Sequence, residues 1–328
     1  MTRTIVLLLL AIGAVFMVSL TQGEQTIPLF KIAQTIFDPQ SADFASRMIV
    51  QEIRLPRVIM AILVGAALAV AGLISQTVMR NPLAEPGLLG VNSGAALAAL
   101  ILIVHLQWSS PSAISIAAFA GALAMASAIY VLSWRNGVSS IRIILIGIGL
   151  SSLAGAATSF ISVFGDITTV QKAQVWLAGS VYNARWSEIQ VLATCLLPAF
   201  VVTGIATRQL DLMYFDDVTV QGLGARVQLT RGSLVLVCTL ISGAAVAAAG
   251  VIAFTGLIAP HVARRLVGFR HARSLPVSAL VGALLVSSAD LLGRTVIAPA
   301  QLPAGLMTIM LGAPFFAFLL WERRHARI

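Results

Sequence analysis

Along this chain the hydrophobic positions neither alternate nor recur on one helical face. They run on for the length of a membrane crossing and are broken by short polar loops. Crossing about 30 Å of hydrocarbon as a helix takes about 20 mostly apolar residues. Ten such runs are drawn, near 5–21, 58–79, 88–106, 112–134, 142–164, 188–207, 232–249, 251–268, 275–293 and 305–321. The division between the seventh and eighth is the thinnest, with only Gly250 to mark it, so that pair is expected to meet in a tight bend. Nine or eleven helices are the alternatives.

The second run is the most informative. Arg54-Leu-Pro-Arg57 leads into Gly65-Ala-Ala-Leu-Ala-Val-Ala-Gly72, and Arg80-Asn-Pro-Leu-Ala-Glu-Pro-Gly-Leu-Leu-Gly90 closes it. Small residues fill its middle, so another backbone can approach closely. The same pattern returns as Gly243-Ala-Ala-Val-Ala-Ala-Ala-Gly250 in the seventh run, which crosses in the opposite sense. Inverted repeats of this kind are common in transporters. Outside the runs, Ile27 to Phe37 has near-helical apolar spacing and reads as a short helix at the outer interface. Val170 to Asn183, with Trp176 and Tyr182, is a second interfacial piece.

Composition makes the membrane reading general. Of 328 residues, 59% are hydrophobic and 10% charged, against about 25% charged in a soluble domain. Residues 1–328 therefore form one transmembrane domain. The first run, with no A-x-A site after it, reads as an uncleaved helix rather than a signal peptide. With the N-terminus inside, fourteen Lys/Arg fall on inner loops (Arg3, Arg80, Arg135, Arg142, Arg208, Arg226, Arg231, Arg264, Arg265, Arg270, Arg273, Arg323, Arg324, Arg327). Seven fall outside (Lys31, Arg47, Arg54, Arg57, Lys172, Arg185, Arg294). That asymmetry puts both termini in the cytoplasm. The net charge of +9 is scattered through short loops, which argues against nucleic acid. Cys195 and Cys238 lie inside apolar runs and read as reduced, buried thiols.

The chain has no G-x-x-x-x-G-K-[ST] phosphate loop, and its only lysines, Lys31 and Lys172, lie outside. His105, His261, His271 and His325 are dispersed, and no metal is assigned to them. What remains is a set of polar clusters, each with two readings. Arg54 and Arg57, with Arg294, either anchor at headgroups or dock an acidic partner; Asp290, four residues before Arg294, could satisfy it within one helix. The loop Asp211 to Arg231 is either a solvated connector or a docking piece for a cytoplasmic motor, with Asp216 and Asp217 opening a short helix and Gly222 or Gly224 ending it. Ser139 and Ser140 either cap the fifth helix or narrow a pore mouth. Gln76, Asn92, Ser93 and Ser159 either line a path or bond between helices.

Taken together, Arg-Leu-Pro-Arg57, the Gly65–Gly72 stripe, Arg80 through Gly90 and on to Val-Asn-Ser-Gly-Ala95, Trp176-Leu-Ala-Gly-Ser180, Phe254-Thr-Gly-Leu-Ile-Ala-Pro-His261, Leu275-Pro-Val-Ser278, Leu302-Pro-Ala-Gly305 and Leu311-Gly-Ala-Pro314 closely resemble the permease subunits of bacterial ABC importers for ferric siderophores, haem and cobalamin. The likeness runs in order from about residue 5 to 325. It implies an all-α membrane fold of about ten transmembrane helices, the type II ABC importer permease fold, with helices 2–5 and 7–10 as the inverted repeat. It implies that Arg54, Arg57 and Arg294 meet acidic residues of a periplasmic substrate-binding protein. Asp216, Asp217, Gly222, Leu223, Gly224 and Ala225 would couple to a cytoplasmic ATPase dimer, and Ser139 and Ser140 would lie at the cytoplasmic gate. No cofactor belongs to this chain; ATP and Mg would sit in the ATPase. A second permease subunit, the same chain or a homologue, would complete the pathway in the inner membrane. The expected cargo is a ferric siderophore, with haem and then cobalamin as alternatives. The competing class is an ion-gradient transporter; a channel would need a filter or charged ring.

Overall fold

The computed structural model describes residues 1–23, 25–38, 43–107, 110–135 and 137–325, apart from the side chains of 319, 320 and 322–325. Arg327 and Asn136 therefore lie outside the described residues, as do 24 and 39–42 of the outer stretch 22–50. The helices are α1 (Thr2–Thr21), α2 (Leu29–Phe37), α3 (Phe44–Arg47), α4 (Leu55–Val78), α5 (Val91–Leu100), α6 (Pro111–Leu132), α7 (Ser140–Phe164), α8 (Ile167–Leu177), α9 (Trp186–Ile205), α10 (Thr207–Leu212), α11 (Asp217–Gly222), α12 (Val227–Ala249), α13 (Thr255–Val267), α14 (His271–Thr295) and α15 (Ala304–His325). The ten runs fall on α1, α4, α5, α6, α7, α9, α12, α13, α14 and α15. Among the described residues seven helices are long and apolar enough to cross a membrane by themselves.

Helix α4 is the centre. Its small residues leave no free face: Val64, Gly65, Ala67, Leu68, Ala69, Val70, Ala71 and Gly72 are all buried. Gly65 meets Gly282 of α14, and Gly72 meets Gly256 of α13, each with backbone against backbone. The repeat is visible in the partners. Helix α4 packs on α13 and α14, while its counterpart α12 packs on α5 and α6, and α4 and α12 lie against each other. Gly65 faces α14; the matching Gly243 of α12 faces Ala122 of α6, where an added Cβ would lie 3.5 Å from the Ala122 methyl. The first helix of each half is thus held by the second and third helices of the other.

Two expectations need correcting. The Gly250 bend is not a tight turn between full spans. Residues 250–254 run on without helix, and α13 has 13 residues, about 20 Å at 1.5 Å per residue. Non-helical backbone at membrane depth is tolerated where protein satisfies its polar groups. Here Ser180 N–H donates to Ala249 O at 2.7 Å and Gly305 N–H to Gly179 O at 2.9 Å. Gly179 and Gly250 both take positive φ, 68° and 70°, and an added Cβ on either would run into the other segment's backbone. The second correction is the start of the second span, which is continuous helix over Phe44–Val78, 35 residues, with wide turns at Met48–Arg54. Cys238 is buried as expected, whereas Cys195 sits on the exposed face of α9.

The chain has two ends. α1 finishes, and α4 and α15 begin, beside Arg57; α4 and α15 then run to the end that holds Arg231, where α1 starts. The N-terminus and the end of α15 therefore share one side. Because overpacking a backbone contact costs about 1–3 kcal/mol or more, Gly72→Val is expected to lower the melting temperature of the purified protein by several degrees. Gly13→Val, where an added Cβ meets nothing within 4 Å, is expected to leave it unchanged. Equal melting of the two variants would contradict the packing described for α4.

Candidate functional site

At the Arg57 end two guanidiniums point inward, Arg54 from the residue just before α4 and Arg57 from its first turn. Arg57, 4% exposed, grips Asp290 of α14 through Nε and Nη2 at 2.9–3.0 Å. Its Nη1 donates to Gln301 Oε1 at 2.8 Å, and its guanidinium lies 5.2 Å from the centre of the Tyr182 ring. Arg54 closes the C-terminus of α1, donating to Leu20 O at 2.6 Å and Thr21 O at 3.0 Å, and also to Gln25 O. Arg294 Nη2 donates to Ser19 O at 2.5 Å. A cation at a helix C-terminus satisfies its orphan carbonyls and its dipole. Asp290 thus hydrogen-bonds Arg57 across two helices, and acts on Arg294 of its own helix as a nearby charge. All three arginines border one open cavity of about 230 Å³, together with Tyr182, Gln25 and Gln301.

At the other end, α11 is built as its sequence suggests. Asp216 caps it, accepting from Thr219 N at 3.0 Å and Thr219 Oγ1 at 2.6 Å; these bonds hold its carboxyl below the usual carboxylate range. Asp217 accepts from Arg80 at 2.6 Å and from Arg231 at 2.8 Å. Burial alone would raise the Asp217 carboxyl, but the two guanidiniums outweigh it and hold it low. Arg80 also donates to Met213 O at 2.9 Å, and Arg231, 1% exposed, reaches Val138 O. Val220 points inward, whereas Val218 and Leu223 stand 79% and 65% exposed. Gly222 and Gly224 lie in open space, with Gly224 at φ 81°, and Ala225 N–H closes the turn on Val220 O at 3.2 Å.

Ser139 is the cap of α7, accepting from Arg142 N at 3.3 Å. Ser140 Oγ donates to Val78 O at 3.0 Å, and Val138 N–H to Gln228 Oε1 at 2.9 Å. Asp217, of the residues expected to couple, and Ser140, of those expected to gate, therefore share one circuit. It runs from Asp217 through Arg80 to the end of α4, across Ser140 to the 137–140 turn, and back through Val138 and Arg231 on α12. The sequence presents Arg80 as the start of the Arg80–Gly90 loop motif and Arg231 as an inner-loop charge, and no local pattern marks them as partners of Asp217. Of the polar groups within spans, Gln76 bonds Gly256 O at 3.1 Å and Ser93 bonds Ser151 at 3.0 Å. Asn92 and Ser93 also border a cleft of about 400 Å³ that reaches α7. Ser159 lies on an exposed face.

The fold and these two ends define a class: a multi-pass membrane permease made of two interlocked, inverted halves. More narrowly, residues 8–322 match the FecCD transport family, and the chain belongs to it. It is 44% identical to the achromobactin transport system permease of Dickeya dadantii, over 97% of this chain and 91% of that one. It is 40% identical to the iron(3+)-hydroxamate import system permease of Bacillus subtilis, over 95% of each chain. It is 41% identical to the hemin transport system permease of Yersinia pestis, over 84% of each. Among solved structures, a metal-chelate type ABC transporter in an inward-facing conformation superposes with a TM-score of 0.89 at 27% identity, covering 98% of this chain and 100% of that one.

Removing one partner of a buried ion pair costs about 3–5 kcal/mol. Asp290→Ala is accordingly expected to destabilise the protein by about that much, and Arg57→Ala with Asp290→Ala by clearly less than the sum of the singles; strict additivity in thermal denaturation would contradict the pairing. The Asp217 clamp carries a pH prediction. Its folded value is lowered, so the clamp's contribution is complete above about pH 4, the unfolded value, and is lost as pH falls through the folded one. The 213–225 segment should resist an acid-active protease at pH 5 and become increasingly cleavable as pH is lowered below about 4, and Asp217→Asn should be cleaved throughout that range.

Proposed function

We propose that this chain is the permease subunit of an ATP-driven, binding-protein-dependent importer that carries an iron chelate across the bacterial inner membrane. The observation that carries the reading is the circuit around Asp217, an anchored helix with exposed apolar residues at the mouth of α4 and α12. A cytoplasmic ATPase dimer, which would hold the ATP and Mg, docks on Val218 and Leu223 with Gly222, Gly224 and Ala225 beside them. Its closure pulls Asp217, and the Arg80 and Arg231 bonds pass the pull to α4, to α12 and to the turn at Ser139 and Ser140. The chain supplies geometry rather than bond chemistry. Both termini lie in the cytoplasm, a reading supported by their common side and by the excess of arginine on that side. A second permease subunit faces this one across the pathway.

At the outer end, the cavity bordered by Arg54, Arg57 and Arg294 receives an acidic side chain of the substrate-binding protein. Each guanidinium already has an internal partner, so the incoming carboxylate joins a bonded cluster instead of meeting free charges. The cargo is a ferric siderophore, in keeping with the names of the relatives; the hemin relative, at 41% identity, makes haem the second reading.

The test is to purify the chain with its partner ATPase in lipid and measure hydrolysis with and without loaded binding protein. Stimulation by a ferric siderophore, abolished by Leu223→Asp, is the expected result. Hydrolysis that no iron chelate stimulates would refute the importer reading. At the outer end, Arg54→Gln is expected to weaken binding-protein affinity about tenfold, the order of one lost charge-assisted bond; unchanged affinity in a variant that melts normally would refute docking there.

A further inference from the structure

His271 belongs to neither group of residues so far described, and it is fully buried. It opens α14, where its backbone N–H donates to Asp211 Oδ1 at 2.9 Å, and its Nδ1 lies 2.7 Å from the same oxygen. Its Nε2 lies 2.8 Å from Thr77 Oγ1, one residue before the end of α4. The Tyr214 ring stacks on it with centroids 5.0 Å apart, and Arg264 is the cation nearby. The Thr77 hydroxyl lies 2.8 Å from both this Nε2 and the Leu73 carbonyl oxygen, so its single proton is shared between them, while the two ring nitrogens face Asp211 and Thr77. One rigid imidazole therefore ties α10, at the start of the 206–225 loop, to the last turn of α4 and the first turn of α14.

The helices it joins are the same two that Arg57 and Asp290 join at the opposite end. Between the two joints they touch through Gly65 and Gly282. A pair of helices packed backbone to backbone and pinned at both ends moves as one body, because packed interiors shift between discrete arrangements and do not stretch.

We propose that His271 is a positioning residue that couples the cytoplasmic loop, through the Asp211–His271–Thr77 strut, to the α4–α14 body and so to the outer cavity at Arg57. The Asp217 clamp grips the mouths of α4 and α12; the strut adds α14, which the clamp does not touch. The proposal rests on the importer reading above.

The variants separate the two bonds of the ring. His271→Asn keeps an amide near the Nδ1 position and loses Thr77; His271→Gln reaches toward Thr77 and loses the side-chain bond to Asp211, keeping only the backbone one. In proteoliposomes holding the permease, its ATPase and loaded binding protein, the readout is chelate transported per ATP hydrolysed, a ratio that a smaller folded fraction does not change. Both variants are expected to lower it at least fivefold. If they do not assemble, Thr77→Val, which removes only the hydroxyl, should lower the ratio, and Thr77→Ser should restore it. A wild-type ratio in His271→Asn and His271→Gln, or equal ratios in Thr77→Val and Thr77→Ser, overturns the strut while the importer reading stands. Wild-type protein without ATP-linked uptake overturns both.

Discussion

A helix enclosed by protein on every side, within a membrane, constrains everything around it. The small residues of α4 make that enclosure possible, because only Gly and Ala let α12, α13 and α14 approach its backbone at once. The same enclosure leaves nowhere in the middle for charge. Its arginines are displaced to the ends, where the neighbours that pack on it must also satisfy them. Asp290 does so for Arg57 from α14, and Asp217 for Arg80 from the loop. The ion pairs at the two ends are therefore consequences of the glycine contacts in between. An unpaired buried charge would cost several kcal/mol, and a pair is retained where its geometry is complete.

The inverted repeat gives the enclosure its stability. Since α4 lies among helices of the second half and α12 among helices of the first, neither half can leave without exposing the other's central helix. The broken backbone at 250–254 sits where such a breach would be most costly. It is held by Ser180, Gly179 and Gly305, whose backbones are close enough to bond because two of the three are glycine. An irregular segment at that depth is admissible only with this support.

The spans were legible because hydrophobic length is a one-dimensional signal, and Val58 to Met79 carries it, although the helix it belongs to begins earlier, at Phe44. The likeness of the Gly243 stripe to the Gly65 stripe likewise marked α4 and α12 as the corresponding helices of two inverted halves. The break before α13 was not legible: 251–268 is apolar throughout, and whether such a run is helix or threaded strand depends on which backbones lie beside it. The arginines were legible as a group at one end, but not their partners. Spacing suggests Asp290 with Arg294, four apart on one helix, whereas the pair that forms spans 233 residues. His271 was invisible for the same reason. Alone at the head of a span, it has no sequence neighbour that would identify it, and its meaning comes from Asp211 and Thr77, which folding brings from two other elements.

Transport by such a protein needs two ends, some thirty ångströms apart, to answer each other. Side chains relaying the signal one by one would lose it in local adjustment, since each rotamer can absorb a small shift. A rod made of two helices with backbones in contact absorbs almost none. What decides whether a displacement arrives is then the stiffness of the joints at its ends. At one end the joint is a bidentate pair with its third guanidinium nitrogen bonded to Gln301, a geometry with few alternatives. At the other it is a flat ring fixed on both edges and stacked on a third side. Both joints use groups whose hydrogen-bond directions are set by a planar frame, the chemistry suited to transmitting a displacement rather than damping it.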